Sequence, residues 1–229
     1  MPDYYQNQTH ISVSGIKAVI RQSEGLPPIE SVANIANAFV VGRAVEQIIE
    51  DGCTTEELTE SQKTEVKICA SKYAALITNC KTVWQREYYV TRLGYKVRCK
   101  TDKEYITMSG KIIEDIKTTG EIIKTNKKAI EIIYQFGYHM QAAAYLTITN
   151  AQIFSFIFLP KNPKAKAFRY TLTKDSEVFK KGFEDWVKGL KFVSTQNQKN
   201  NDNKAVSGTT RNQQRRKRNT KRWGDPLQF

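Results

Sequence analysis

The sequence has few long hydrophobic runs, and this limits where the protein can reside. Its longest apolar stretch, residues 153–159, is interrupted by Ser155 and is far shorter than the roughly 20 residues that span a bilayer. The first ten residues carry neither a basic cluster nor an apolar segment, so we expect no secretory signal. These absences predict a cytoplasmic protein with no membrane partner.

Cysteine and histidine are also scarce. The chain has four cysteines, Cys53, Cys69, Cys80 and Cys99, and two histidines. No C-x-x-C pair and no neighbouring His cluster occurs, which excludes the usual spacings of zinc and iron–sulfur sites. Any metal chemistry would therefore rest on carboxylates, and the thiols are expected to be reduced.

Acidic residues are outnumbered by basic ones. Lys and Arg total 36 against 23 Asp and Glu, which gives a net charge of +13 and a pI near 9.5. An excess of this kind favours a polyanionic partner such as DNA, although a basic protein kept soluble by its charge is the plainer interpretation.

The 229 residues allow one full domain with an appendage. We predict a domain over residues 1–195 and a disordered basic tail over residues 196–229, because the tail composition collapses to Asn, Gln, Lys, Arg, Gly and Thr. The tail residues expected to contact DNA phosphates are Arg211, Arg215, Arg216, Lys217, Arg218, Lys221 and Arg222. The ending from Trp223 to Phe229 could instead dock a partner protein.

Three helices are predicted before residue 77. Ser14 is placed to cap a helix over residues 15–22. Residues 31–51 repeat apolar or small residues at helical spacing and stop at Gly52. The buried stripe predicted for this second helix comprises Ile35, Phe39, Gly42 and Ile49. Thr54 and Glu57 form a capping box that would open a third helix, with an inward face of Val66, Cys69, Tyr73 and Leu76.

The remainder of the chain predicts strands and two more helices. Residues 87–106 read as two strands paired around Leu93-Gly94, and a turn at residues 108–110 leads to a third strand over 111–117. A loop over residues 118–126 precedes a long helix over about 128–148. Residues 151–159 predict a central strand and 166–173 one more. A last amphipathic helix over 175–192 would pack Val178, Phe179, Trp186 and Leu190. The fold class is α/β, with a mixed central β-sheet flanked by helices.

Two carboxylates and a lysine are predicted to converge on this sheet. In the strand 111–117 the two-residue period places Asp115 and Lys117 on one face and Glu114 on the other. Strand pairing across the turn brings Asp102 close to Asp115. Such oxygen ligands suit Mg²⁺ or Mn²⁺, and a nearby lysine can orient or help deprotonate a water. Taken alone, the D-x-K pattern is more typical of a solvated strand face than of a functional site.

Two helices add candidates. Glu46 falls on the apolar stripe of the second helix, where either a metal ion or a buried Lys or Arg would satisfy its charge. Tyr134, Tyr138, Gln141 and Tyr145 recur along one face of the helix 128–148. Aromatic stripes are usually core, but the amide of Gln141 needs partners and could hydrogen-bond a water or phosphate beside a metal.

The segments GRAVEQ, RCKTD, IIEDIKTT and FGYHMQAAAY, in this order, resemble the PD-(D/E)XK nuclease superfamily, in particular its exonuclease VIII branch. The opening HISVSGIKAV also resembles the start of that branch, and the resemblance covers roughly residues 9–160. It implies a restriction-endonuclease-like core. The residues it carries over are the metal ligands Glu46, Asp102 and Asp115, the catalytic lysine Lys117, and the supporting helix pair Gln141 and Tyr145.

The branch commonly has His where this chain has Glu46, whereas phage lambda-type exonucleases have Glu. The lack of a cysteine cluster argues against the iron–sulfur relatives. The resemblance therefore implies a Mg²⁺-dependent exonuclease that degrades one strand of duplex ends for phage-type recombination. A structure-specific or restriction-like endonuclease and a non-catalytic DNA-binding protein remain alternatives. A homo-oligomer, and a tail partner such as a single-strand annealing or single-strand-binding protein, are also expected from this branch and from the tail sequence.

Overall fold

A five-stranded mixed sheet organises the structure, a computed structural model that describes residues 9–25, 33–76 and 81–196. The strands are β1 (Thr82–Arg92), β2 (Tyr95–Thr107), β3 (Gly110–Thr119), β4 (Ile153–Pro160) and β5 (Phe168–Thr173). They lie side by side in chain order; β3 and β4 are parallel, and the other neighbouring pairs are antiparallel. The predicted α/β class with a mixed central sheet is confirmed.

Six helices occur in the described residues: α1 (Val13–Ser23), α2 (Ala33–Asp51), α3 (Glu60–Ala74), α4 (Asn126–Gln135), α5 (Tyr138–Thr149) and α6 (residues 177–196). In this part of the chain, no helix combines the length and apolar character needed to cross a membrane.

The chain divides into two compact units, Met1–Gly189 and Leu190–Phe229, and the sheet belongs to the first. Of the second unit, the structure describes residues 190–196, which are helical and include the buried Leu190 and Val193. The seven basic tail residues assigned to DNA binding lie outside the described residues, so the predicted tail and its boundary at residue 195 stay predictions.

Hydrophobic side chains cover both faces of the sheet. On one face, α4 and α5 pack with Ile113 of β3 and Phe156 of β4, and on the other α2 and α3 pack with Ile116 and Ile157. The alternation follows the two-residue period of a strand. Strand β4 is therefore buried on both sides, as its continuous apolar run predicts. Burial of each such large side chain contributes about 1.5–3 kcal/mol.

The two strand turns form where the sequence places them. Leu93 and Gly94 join β1 to β2 with φ angles of 53° and 77°, as a two-residue turn with both φ values positive requires. The β2–β3 turn closes between Thr107 and Gly110, whose φ is 105°. These turns fix a register in which Lys103 lies opposite Glu114.

The first helix begins earlier than predicted. Helix α1 starts at Val13, and the Gly15 N–H donates to Ser12 Oγ at 3.1 Å, so Ser12 rather than Ser14 caps it. Ser12 and Ser14 are equally suitable caps by residue type. The backbone pairing of the chain before α1 determines which of them caps the helix. Ile11 exchanges backbone hydrogen bonds with Lys96 and Arg98, which places the strand-to-helix change at Ser12.

The capping box of α3 is also displaced from its predicted position. Thr59 Oγ1 accepts from the Gln62 N–H, and the Gln62 side chain accepts from the Thr59 N–H. Thr54 instead accepts from the Glu56 N–H within a loop. Both segments satisfy the capping pattern, so the local motif does not choose between them. The inward face predicted for α3 is confirmed at Val66, Cys69 and Tyr73, whereas Leu76 lies after the helix end.

The buried stripe predicted for α2 is partly wrong. Phe39 is 46% exposed, and the buried side chains are Val41, Ala44 and Val45. Helix α2 packs on α3 as well as on the sheet, and these two contacts together bury a different helical face from the one that periodicity predicts. The side chain of Ile35 lies outside the described residues.

The predicted long helix over 128–148 is two helices. Gly137 has a φ of 63°, a left-handed conformation that ends α4 and precedes α5. The Phe136 N–H donates to the Ile132 carbonyl, and the Gly137 N–H donates to the Tyr134 carbonyl, which closes the last turn of α4. Tyr134 therefore lies on α4 and does not share a continuous helical face with Gln141.

Candidate active site

The site is built at the point where the β2–β3 ladder ends. Its last pair is Lys103 opposite Glu114, and the next residues on the two strands are Asp102 and Asp115. Past this pair, the Ile116 N–H donates to Asp102 Oδ2 at 2.8 Å. The hairpin therefore brings the two predicted carboxylates to neighbouring positions, as the strand–turn–strand pattern predicts.

Asp115 is fully buried and held from two sides. Its Oδ1 accepts a 2.7 Å hydrogen bond from the Gln141 side-chain amide on α5. Its Oδ2 lies 2.5 Å from Lys117 Nζ and has no partner with hydrogen-bond geometry among the described residues. The Lys117 side chain as a whole is 19% exposed. The predicted sharing of one strand face by Asp115 and Lys117 is thus observed.

Glu46 reaches the same site from α2. The helix approaches β3 at Gly42, where an added Cβ would lie 3.7 Å from Thr118 Oγ1, and Glu46 lies one turn further along. Burial raises the pKa of Glu46 to about 7; the Lys117 charge opposes this rise and the Asp115 charge adds to it. Glu46 therefore lies within electrostatic reach of both residues.

The other charges of the site respond to the same crowding. Burial raises the pKa of Asp102 well above its ordinary value, and the Glu46 and Asp115 carboxylates raise it further. Burial opposes the charge on Lys117, but Asp115 and Asp102 outweigh it and raise the Lys117 pKa. The site thus holds more carboxyl groups than its one central lysine can pair with.

Two residues to which the sequence assigned no role at the site complete the surroundings of Lys117. Its Nζ lies 5.2 Å from the centroid of the Tyr138 ring, a cation–π contact. Lys17 Nζ, from α1, lies 5.5 Å from the same centroid. In the sequence, Tyr138 stands out only as part of an aromatic stripe, and Lys17 only as part of HISVSGIKAV. For Lys17, the one feature of the sequence that could have drawn attention is its position next to Ile16, which is buried.

Tyr145, the predicted partner of Gln141, packs differently from Gln141. Its ring meets Phe154 edge-on at 6.0 Å and lies against the core between α5 and the sheet. Its assignment as a supporting residue stays a prediction.

The carboxylate oxygens of the site are of the type that binds a divalent cation, but they are not yet arranged as a metal site. Across residues 9–25, 33–76 and 81–196, no three His, Cys, Asp or Glu side chains form a group that could hold a metal ion. Yet burial, followed by the Glu46 and Asp115 carboxylates, raises the pKa of Asp102. Buried Asp115 Oδ2 has Lys117 as an ion-pair partner but no partner with hydrogen-bond geometry among the described residues. Mg²⁺ or Mn²⁺ binds hard oxygen donors and would neutralise the charge of carboxylates that outnumber the cations of the site.

A separate polar network occupies the opposite face of β3. Glu114 is 1% exposed, and its Oε1 accepts from the Tyr105 hydroxyl at 2.9 Å and pairs with Arg169 at 2.8 Å. Its Oε2 accepts from the Tyr73 hydroxyl at 3.3 Å and lies 3.4 Å from Lys103 Nζ. Glu114 is thereby neutralised away from the site, and a one-residue slip of β3 would exchange it with Asp115.

Comparison with known proteins adds a shared fold. No family profile and no curated protein matches this chain by sequence. A candidate exonuclease from Eubacterium rectale superposes with a TM-score of 0.58 at 16% identity, over 86% of this chain and 84% of that one. The chain therefore has the fold of a protein described as an exonuclease.

Two further solved structures match with lower TM-scores. A phage-related exonuclease from Haemophilus somnus matches at 0.44 and 13% identity, over 83% of this chain and 96% of that one. An alkaline exonuclease from Laribacter hongkongensis matches at 0.42 and 14% identity, over 86% and 94% respectively. The shared fold therefore rests on the first comparison, with the Eubacterium rectale protein.

Proposed function

We propose that this protein is a metal-dependent deoxyribonuclease that hydrolyses DNA phosphodiester bonds. The observation that carries the proposal is the convergence of Asp102, Asp115, Lys117 and Gln141 on one sheet face, with Glu46 in electrostatic reach. Crowded, perturbed carboxylates beside an amine are typical of catalytic sites. The shared fold and the net charge of +13 support DNA as the substrate.

Mg²⁺ is the proposed cofactor, with Mn²⁺ as a substitute, and Glu46, Asp102 and Asp115 are its proposed ligands. Such an ion, when bound, would stabilise the negative charge that develops on the phosphoryl group and lower the pKa of water. Because these carboxylates do not already form a ligand group, we expect them to rearrange when the ion binds.

The protein groups have separate roles in this proposal. The Lys117 ammonium group orients the attacking water and offsets negative charge on the transition state. Gln141 holds Asp115 Oδ1, so that Oδ2 keeps its direction toward Lys117. The Tyr138 ring contacts the Lys117 ammonium group. Tyr145 keeps its proposed role as the second supporting residue of the site, with Gln141, on α5.

Within this class we propose an exonuclease that resects double-stranded ends for phage-type recombination in the cytoplasm of a bacterium or a phage-infected host. A homo-oligomer and an annealing or single-strand-binding partner belong to the same proposal. A structure-specific or restriction-like endonuclease uses the same chemistry, so the two are separated by substrate. Incubation with linear and with covalently closed DNA in Mg²⁺ gives shortened strands from ends for the first and nicks for the second.

The active-site assignment is tested by Asp115→Asn and Lys117→Ala. Each removes a ligand or transition-state contact and leaves the basic surface intact, so cleavage should fall about a thousandfold or more while DNA binding persists. Cleavage rate and fluorescence polarisation measure the two quantities. The exposed Asp175→Asn is the matched control and should retain full activity.

Mg²⁺ or Mn²⁺ should support cleavage and Ca²⁺ should not, because its longer and looser coordination positions water poorly. Comparable hydrolysis by Asp115→Asn or Lys117→Ala would refute the site. No product from either DNA with the native protein would favour the non-catalytic DNA-binding alternative.

A further inference from the structure

Lys17 is a second lysine directed at the proposed site, although it comes from a different part of the chain than Lys117. Its Nζ donates a 2.9 Å hydrogen bond to the Phe136 carbonyl at the end of α4. The side chain also passes over the turn between α4 and α5, since an added Cβ on Gly137 would lie 3.2 Å from Lys17 Cε. This route carries the ammonium group from α1 to the Tyr138 ring.

The two lysines occupy one electrostatic environment. Both ammonium groups lie against the Tyr138 ring, at 5.5 Å for Lys17 and 5.2 Å for Lys117. Burial lowers the pKa of Lys17 to about 8; the Lys117 charge lowers it as well, and the Asp115 charge opposes the shift. Lys17 therefore remains mostly protonated at neutral pH, close to another cation and without a carboxylate of its own among its described hydrogen bonds.

The charge of the loaded site explains why a second lysine is useful there. Three carboxylates, Lys117 and one divalent cation would together be formally neutral. Lys17 makes the set singly positive, which matches the single negative charge of one phosphodiester. Two cations crowded around one ring are also relieved when an anion binds between them.

We infer that Lys17 contacts a backbone phosphodiester of the DNA strand next to the one that is cleaved, and so positions the strand at the site. This inference rests on the proposed function and deepens it. Lys117 is engaged by Asp115, whereas Lys17 is held by a neutral carbonyl and keeps two N–H bonds for an acceptor. The neighbouring phosphate is thus assigned to Lys17 and the reacting one to Lys117.

The test compares four full-length proteins: native, Lys17→Gln, Lys17→Arg and Lys72→Gln. Lys72 is a matched control, because its Nζ also bonds a backbone carbonyl, that of Pro160 at 2.6 Å, and neither Asp115 nor Lys117 shifts its pKa. Fluorescence polarisation of a short labelled duplex in Ca²⁺ gives Kd over a range of NaCl concentrations. A gel confirms that the DNA stays intact.

Lys17→Gln should weaken DNA binding about tenfold, as loss of one charged hydrogen bond does. It should also reduce the slope of log affinity against log salt by about 0.9, the value for one neutralised phosphate. Lys17→Arg should restore the slope, and Lys72→Gln should not change it. With 5′-phosphorylated and 5′-hydroxyl duplexes the loss should be the same, because the contact is internal to the strand.

An unchanged slope in Lys17→Gln would overturn the inference even if stability fell, since a purely structural tether releases no counterion. An equal loss in Lys72→Gln, or a loss confined to 5′-phosphorylated ends, would overturn it too. The outcome is distinct from that of the proposed function. If the native protein binds DNA without cleaving it, the slope still decides the role of Lys17, and if it does not bind DNA both proposals fail.

Discussion

At the level of single residues, folding places carboxylates where they repel one another. Asp102, Asp115 and Glu46 all lie near Lys117, and burial together with mutual repulsion raises the pKa values of Asp102 and Glu46. An isolated structural ion pair would instead leave each carboxylate with its own cation, as Glu114 has with Lys103 and Arg169 on the opposite face. The two faces of β3 thus differ in charge balance, and the face with crowded carboxylates is the candidate site.

Glu46→Gln should reduce the pH dependence of the free energy of unfolding. The ordinary pKa of 4.5 applies to the unfolded chain and about 7 to the folded one, so the unfolded state releases its proton first. In the metal-free protein the contribution of Glu46 is present below pH 4.5 and is lost as pH rises through 7, by on the order of 2–3 kcal/mol. Urea unfolding in a chelator at pH 5 and pH 8 should show this loss in the native protein. The loss should be smaller in Glu46→Gln, where Asp102, whose pKa burial also raises, still contributes.

The exposed Glu57→Gln is the control for that experiment and should behave as the native protein does. Calorimetry with Mn²⁺ adds a second readout, because Glu46→Gln should weaken metal binding. Identical metal affinity with and without the carboxylate would show that Glu46 serves only as a structural ion-pair partner.

At the level of elements, the turn between α4 and α5 determines what reaches the site. Helix α5 begins directly after Gly137 and presents Tyr138 to Lys117 and Gln141 to Asp115. If α4 continued through this segment, Tyr138 and Gln141 would follow the axis of α4 and would not face Lys117 and Asp115 as they do on α5. The turn also supplies the carbonyl that holds Lys17. One glycine therefore positions contacts to three charged residues of the site.

Gly137→Ala should destabilise the protein by about 1 kcal/mol, because the φ of 63° is strained for an L-residue with a Cβ. It should also lower kcat, since the added methyl group meets Lys17 Cε at 3.2 Å. Thermal unfolding and cleavage rate check these effects. Gly120→Ala is the matched control: its φ is not in the left-handed range, and an added Cβ meets nothing within 4 Å. A similar change in both variants would contradict the proposed role of the turn.

At the level of the whole molecule, charge is the feature that extends beyond the site. Residues 196–229 contain nine basic and two acidic residues, while the chain as a whole is +13. A run of this kind contacts phosphates without sequence preference and raises the local DNA concentration. The tail carries no catalytic group in the proposed mechanism, so affinity and turnover should respond to it differently.

Deletion of residues 196–229 should flatten the slope of log affinity against log salt by a few units, because each phosphate that the tail neutralises adds roughly 0.9 to that slope. The maximal rate at saturating DNA should change little. Removal of residues 223–229 alone should leave the slope unchanged, because it takes away no cluster of basic residues. If the short deletion weakened DNA binding as much as the long one, the charge-based role of the tail would be wrong, and docking through the end of the chain would be favoured.

Patterns confined to one strand or one hairpin were predictable from the sequence. The two-residue period of β3 separates Asp115 and Lys117 from Glu114, and the turns at Leu93-Gly94 and residues 108–110 define the register that brings Asp102 beside Asp115. Both follow from local backbone geometry. The apolar run of β4 similarly predicted a strand buried on both faces.

The tertiary structure decided whatever depended on contacts between distant segments. Packing resolved three choices between locally equivalent options. It selected Ser12 over Ser14 and Thr59 over Thr54 as helix caps, and it selected the buried face of α2. Lys17 is 100 residues from Lys117 in the chain, and no local pattern relates them. The sequence by itself therefore determined the mixed sheet and the carboxylate–lysine strand. Only folding brought α1, α2 and α5 around that strand, because side-chain burial and electrostatic coupling arise from proximity in space.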